Sequence, residues 1–318
     1  MASTVLVTGG FGFIGAHVVQ GLVRVGDRVL VVDRLTSGNS ADDVLDDRER
    51  AAVEVVGTTI PGAGELTELL RDRGVDLVAH LASPLSNRTE TEPSLAVDEM
   101  IVPHRSILDS ARAAGVRRVV WASSVGVFGR ASDYPRLPIP NDAPHRPQTI
   151  YGAAKSFLER LSAQTTEVHG LDTLGLRFPL VYGPARQRGG GLFTNRLIEG
   201  AARGEPIVAE GPDDRYDWMF VTDAARSVEL ALRAQPTPSR ALTVGGHVGT
   251  VREVADLLAE WFPGAERRDT ASVQDLVADY DPAPALTEIG YAPQVSMHDG
   301  VLAMVNRARE RAGLTLVA

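Results

Sequence analysis

The chain has 318 residues, 44% of them hydrophobic and 23% charged, with a formal net charge of −9. That supply of apolar side chains suits one large domain or two small ones and argues against disorder, while the negative field argues against nucleic acid or an anionic membrane surface and for a small-molecule partner. There is no cysteine, so disulfides, thiolate nucleophiles and thiolate metal sites are excluded, and no metal site is assigned.

The first apolar run, Val5-Leu6-Val7, is too short for a secretory signal, and no stretch approaches the ~18 to 20 apolar residues of a spanning helix. A cytoplasmic location is therefore expected. Short β-branched runs at Val5–Thr8, Val29–Val32, Val53–Val56, Leu77–His80 and Val119–Ala122 alternate with amphipathic segments. The runs are apolar throughout, as strands buried on both faces are, and predict an α/β, Rossmann-type, doubly wound parallel sheet.

After the first run comes Thr8-Gly9-Gly10-Phe11-Gly12-Phe13-Ile14-Gly15 and a helical pattern over Ala16–Arg24. Glycines 9, 12 and 15 have the spacing that turns a strand tightly into a helix and lets backbone approach a pyrophosphate at the helix N-terminus. Asp33 ends the second run, near the ~20-residue offset at which an acid accepts from the adenosine ribose hydroxyls and repels a 2′-phosphate. NAD is thus expected over NADP, with Arg34 as the residue able to offset that preference.

From residue 131 the pattern breaks into Tyr134-Pro-Arg-Leu-Pro-Ile-Pro-Asn-Asp-Ala-Pro144, a loop by its prolines. It leads to a helix over Tyr151–Val168, a strand at Thr173–Arg177 and three further helices at Asn195–Arg203, Asp223–Arg233 and Val251–Trp261. The division expected is a dinucleotide-binding domain over 1–180 and a smaller substrate lobe over 181–318, partly interleaved with the sheet domain. Tyr151-Gly-Ala-Ala-Lys155 places a phenol and an ammonium on one helix face. A cation beside the phenol stabilises its phenolate, so the pair can exchange a proton with an alcohol or ketone.

With Val119-Val-Trp-Ala-Ser123-Ser124-Val-Gly-Val-Phe-Gly129, His80-Leu-Ala-Ser83 and Leu176-Arg-Phe-Pro-Leu-Val-Tyr-Gly-Pro184, these motifs make the chain resemble the extended short-chain dehydrogenase/reductase superfamily, the NAD-dependent epimerase/dehydratase family, strongly over residues 4–185 and more weakly beyond. The resemblance implies that Ser124 hydrogen-bonds the reacting oxygen, Tyr151 transfers the proton, and Lys155 binds the nicotinamide ribose while lowering the tyrosine pKa. It implies cofactor contacts at Gly9, Gly12, Phe13, Ile14, Gly15, Asp33, Arg34, Thr58, Leu81, Ala82, Ser83, Tyr151, Lys155 and Pro179. It also suggests a homodimer built through the Tyr151–Val168 helix. His80 is read as a packed residue without a catalytic role.

Three departures narrow the function. The dehydratase branch carries an acid pair after the catalytic hydroxyl residue, where this chain has Val125 and Gly126; neither can carry a proton, so dehydration is rejected. Nucleotide-sugar epimerases grip a diphosphate from places that here hold Leu180, Tyr216 and Ser272, with Arg186, Arg188 and Arg215 nearby in sequence. Thr58 stands where the family often has an aspartate for the adenine amino group. The reading is an NAD-dependent oxidoreductase acting on a secondary alcohol or ketone of a small polyol, sugar or sugar acid. The alternative is a nucleotide-sugar epimerase, similar to UDP-glucose 4-epimerase, that works through a transient 4-keto intermediate with retained NAD. A regulator that kept the fold without chemistry is disfavoured by the intact Ser124, Tyr151 and Lys155.

Overall fold

The computed structural model describes residues 2–34, 39–57, 59–189, 191–271 and 277–318. Six strands follow the apolar runs: β1 (Thr4–Thr8), β2 (Arg28–Val32), β3 (Val53–Gly57), β4 (Leu77–His80), β5 (Arg118–Ser124) and β6 (Asp172–Phe178). They form the body of a parallel sheet. The second half of the chain adds β7 (Leu180–Tyr182), β8 (Ile207–Glu210), β9 (Arg215–Phe220), β10 (Ala241–Thr243), β11 (His247–Thr250) and β12 (Arg267–Thr270). Of these, β10 joins the main sheet beside β6, giving the order β10-β6-β5-β4-β1-β2-β3. The other five make a β11-β9-β7 sheet and a β12-β8 pair.

The reason for two-sided burial is visible within β1. Val5 and Val7 belong to a core on one face, with Val18, Leu22 and Val228 from helices, while Leu6 belongs to a second core with Leu66, Leu70, Ile107 and Leu108. Alternate side chains leave a strand on opposite faces, so a strand covered by helices on both sides must be apolar at every position. β3, at the sheet edge, departs from this: Glu54 and Val55 are partly or wholly exposed.

Helices extend the expected patterns by a turn or less: Phe13–Arg24, Ile150–His169, Leu192–Ala202 and Val221–Arg233, with Val251–Trp261 as read. A wider π-type turn at Ala96–Ile101, which periodicity did not indicate, runs directly into the Val102–Ala114 helix. Pro103 lacks the N–H that would bond back to Glu99, and the backbone accommodates the lost bond there. No helix among the described residues is long and apolar enough to cross a membrane.

Strand order reverses between β1 and β4, which places a crevice at the carboxyl ends of the strands. Thr8 is in register with both Val32 and His80, so the three strand ends lie flush and their following loops share one rim.

Candidate active site

A cleft of about 830 Å³ opens along that rim, and it is lined from Asp33 and Arg34 at one end to Ser124, Tyr151 and Lys155 at the other. Every sequence-assigned site residue lies on its wall except Thr58, which, like Ser272, falls outside the described residues.

The glycine loop is built as its spacing implies. Gly9 has φ +71°, and a Cβ there would stand 2.8 Å from the Ala82 nitrogen; a Cβ on Gly15 would stand 2.0 Å from the Gly9 oxygen. Both close approaches require glycine. The helix Phe13–Arg24 begins at Gly12 with no side-chain cap and no acid in its first turn. Its first amides thus point into the cleft with the positive end of the helix dipole, which fits a pyrophosphate. By contrast, Thr149, Thr250 and Ser296 each cap their own helix.

Asp33 Oδ2 accepts from the Phe11 amide at 2.7 Å, so the carboxylate is fixed beside the loop with acceptor capacity left for ribose hydroxyls. Arg34 is paired with Glu99 at 3.0 Å. Its charge is therefore partly neutralised, which weakens the case for a 2′-phosphate. Asp33→Ala is expected to weaken NAD binding and raise relative NADP use, because a hydroxyl loses its acceptor and a phosphate loses a repelling charge. Titration of both dinucleotides against the two proteins checks this; a wild-type preference for NADP would show that Arg34 dominates.

At the other end, Ser124 closes β5 and accepts from the Gly126 amide at 3.0 Å. Tyr151 sits in the first turn of the Ile150–His169 helix, whose Thr149 Oγ1 accepts from the Gly152 amide at 3.0 Å. A Cβ on Gly152 would stand 2.1 Å from the Gly126 oxygen. The missing Cβ of Gly152 therefore lets the helix start press against the turn after β5, and that contact carries Tyr151 to Ser124. Val125 and Gly126 occupy this turn, with no acidic group between them.

Lys155 is 3% exposed, with Nζ donating to the Ala122 carbonyl at 2.6 Å and lying 5.4 Å from the centre of the Tyr151 ring. Burial lowers its pKa to about 7, against the opposing pull of Glu159. Burial also pushes the Tyr151 phenol up to about 12, with the Ser83 and Ser124 hydroxyls drawing it back down. Burial sets both directions, and the Lys155 ammonium faces a backbone carbonyl. Tyr151 is a neutral acid here. His80 is buried, with Nδ1 2.7 Å from Thr8 Oγ1, and burial holds its pKa down at about 3; it packs against the loop as a neutral ring.

Several residues at the site had escaped sequence reasoning. Glu159 receives Ser123 Oγ at 2.6 Å and Arg177 Nη2 at 2.7 Å, and both charged side chains are buried. Glu159 stands four residues after Lys155 on the same helix face, and that spacing was the available signal. His104, wedged against Trp121 with Nε2 2.8 Å from Ser162 Oγ, had none. Ser83, assigned to the cofactor, also reaches the Tyr151 hydroxyl. Of the candidate diphosphate residues, Leu180 lines the cleft, whereas Tyr216 packs its ring against Phe193 and Trp218.

Known proteins resemble this chain in sequence and in fold. The chain is 30% identical to the UDP-glucose 4-epimerase of Mycolicibacterium smegmatis over 96% of its own length and 98% of that protein's. Its fold superposes on the UDP-glucose 4-epimerase of Thermotoga maritima, solved with UDP-glucose, at a TM-score of 0.83 and 25% identity, covering 97% of this chain and 99% of that one. It matches the Thermus thermophilus UDP-glucose 4-epimerase, solved with NAD, at 0.80 and 25% identity over 96% and 99%. Residues 5–245 match the pattern of the NAD dependent epimerase/dehydratase family. A glycine loop, an acid after β2 and a Ser–Tyr–Lys set meeting in one cleft are thus joined to a family pattern that spans most of the sequence, and the chain belongs to the NAD-dependent epimerase/dehydratase family of enzymes.

Proposed function

We propose that the enzyme moves a hydride to or from the carbon of a secondary alcohol or ketone in a small carbohydrate-like substrate: a polyol, sugar or sugar acid. The observation that carries this reading is the meeting of Ser124, Tyr151 and Lys155 at one end of a cleft whose other end is the dinucleotide loop and Asp33. NAD, when bound, accepts or returns the hydride. The chain's own groups do the rest. The uncapped helix start and the glycine loop hold the pyrophosphate, Asp33 holds the adenosine ribose, and Lys155 is close enough to Tyr151 to serve a ribose and the phenol together. Ser124 Oγ orients the substrate oxygen, and the Tyr151 hydroxyl gives up or takes the proton on that oxygen. A neutral Tyr151 suits the reductive direction, in which it donates.

A second reading, epimerisation of a nucleotide sugar through a transient ketone with retained NAD, is favoured by the 30% identity to a UDP-glucose 4-epimerase over nearly the whole chain. Leu180 and Tyr216 weigh against it: neither can neutralise a diphosphate, and the two charges of a desolvated diphosphate are not matched by a single arginine. Calorimetry with UDP, dTDP and GDP on NAD-loaded protein is expected to show no site tighter than roughly millimolar, about −4 kcal/mol. Micromolar binding of any of them would overturn this choice in favour of epimerisation. Exchange of NAD at each turnover separates the two chemistries independently.

Assembly as a homodimer is part of the same reading. Phe157 and Val168 on the Ile150–His169 helix and Val97 and Val102 beside it are exposed apolar groups that a second copy would cover.

A further inference from the structure

We infer that Arg186 is an oxyanion receptor of this cleft, pairing with a phosphate or carboxylate group that only a bound ligand supplies. The inference rests on the reading that NAD and substrate share the cleft, and goes beyond it by naming a charged group that one of them must present.

The backbone leading to Arg186 is unusual. Ala185 has φ +67°, the one non-glycine residue with positive φ among the described residues. That conformation is strained for a residue with a Cβ and persists only where surroundings enforce it. Here the Ser40 hydroxyl donates to the Ala185 carbonyl at 2.9 Å. Both Arg186 and Arg188 line the cleft, but Arg186, directly after the strained residue, is half-buried whereas Arg188 is exposed.

The guanidinium is then enclosed. It lies 5.1 Å from the centre of the Phe13 ring, and Phe13 is the first residue of the uncapped helix at the cleft. A Cβ on Gly191 would stand 2.8 Å from Arg186 Cζ, and one on Gly189 would stand 3.1 Å from Nη2. The glycine-rich loop therefore wraps the cation as closely as backbone can.

Its partners do not match that burial. Nη1 donates to the Val181 carbonyl at 2.6 Å, and Nε is buried without a partner. No carboxylate among the described residues pairs with it, although Arg34 and Arg88, on the same cleft, both meet Glu99. Burial lowers its pKa to about 10, which leaves it cationic at neutral pH. A guanidinium has five donors in a planar fork suited to a carboxylate or phosphate, and a desolvated cation without an anion is costly. A ligand oxyanion removes that cost.

The oxyanion has two sources, the pyrophosphate of the dinucleotide or an acidic group on the substrate, and two arms of one experiment separate them. Calorimetry with NAD on ligand-free protein, and with UDP, glucose 6-phosphate and glucuronate on NAD-loaded protein, is run on wild type, Arg186→Met and Arg186→Lys. Arg186→Met is expected to weaken at least one ligand ten-fold or more, with Arg186→Lys recovering part of the loss. A loss confined to NAD assigns the pyrophosphate, a loss confined to glucose 6-phosphate or glucuronate assigns an acidic group on a small substrate, and a loss confined to UDP assigns a substrate diphosphate and with it the epimerase reading. Unchanged NAD affinity together with no difference between the proteins toward all three anions overturns the inference. If Arg186→Met fails to fold, the Lys variant decides alone, because it keeps the charge and loses the fork. Wild-type protein that binds no NAD would sink the underlying reading of the cleft, a result distinct from these.

Discussion

Tyr151→Phe is expected to lower turnover by ~10² to 10⁴-fold, the usual scale of general acid–base catalysis, or about 3 to 5 kcal/mol of transition-state stabilisation. The change removes one oxygen. The contacts that build the cleft's closed end lie elsewhere: Lys155 Nζ keeps the Ala122 carbonyl, Ser124 keeps the Gly126 amide, and the Gly126–Gly152 approach does not involve the phenol. NAD affinity and the unfolding midpoint should therefore stay close to wild type. The half-buried Ser83 and Ser124 hydroxyls lose a neighbour, a small cost beside the loss of the proton. Initial rates with any substrate that gives NAD-linked turnover provide the check, and a variant retaining near-normal turnover would remove Tyr151 from the chemistry.

The second large effect is on stability. Glu159→Gln is expected to destabilise the fold by about 3 to 5 kcal/mol, a substantial part of the ~5 to 15 kcal/mol that holds a typical domain. Glu159 Oε1 accepts from Ser123 Oγ and from Arg177 Nε at 2.9 Å, and Oε2 accepts from Arg177 Nη2 at 2.7 Å, a two-pronged pair. The side chains of Arg177 and Glu159 are 6% and 7% exposed. Solvent therefore cannot take over when one charge is removed, and Arg177 is left as an uncompensated buried cation. The double variant Glu159→Met with Arg177→Met removes both charges and should lose less than the single one. Urea unfolding of the three proteins tests both statements. A single-variant loss below about 1 kcal/mol would mean that water reaches the pair.

The alternation of apolar runs with helical patterns placed β1, β2, β3, β4, β5 and β6, and the glycines placed the loop, because a continuous apolar run, the 3.6-residue helical period and the steric demands of a tight turn are written in neighbouring residues. For the same reason Tyr151 and Lys155 were legible as a pair: four residues on a helix is a local distance. What the local pattern could not carry is which distant residues meet. The Gly126–Gly152 contact that delivers Tyr151 to Ser124, the Arg177–Glu159 pair behind Lys155, the Arg34–Glu99 pair and the return of β10 to the main sheet all join segments with no sequence relation to one another. Electrostatics was least legible of all. Burial raises the Tyr151 pKa and lowers that of Lys155, and Arg186 passed for one loop arginine among three, because desolvation depends on what surrounds a group after packing and only the tertiary structure supplies those surroundings.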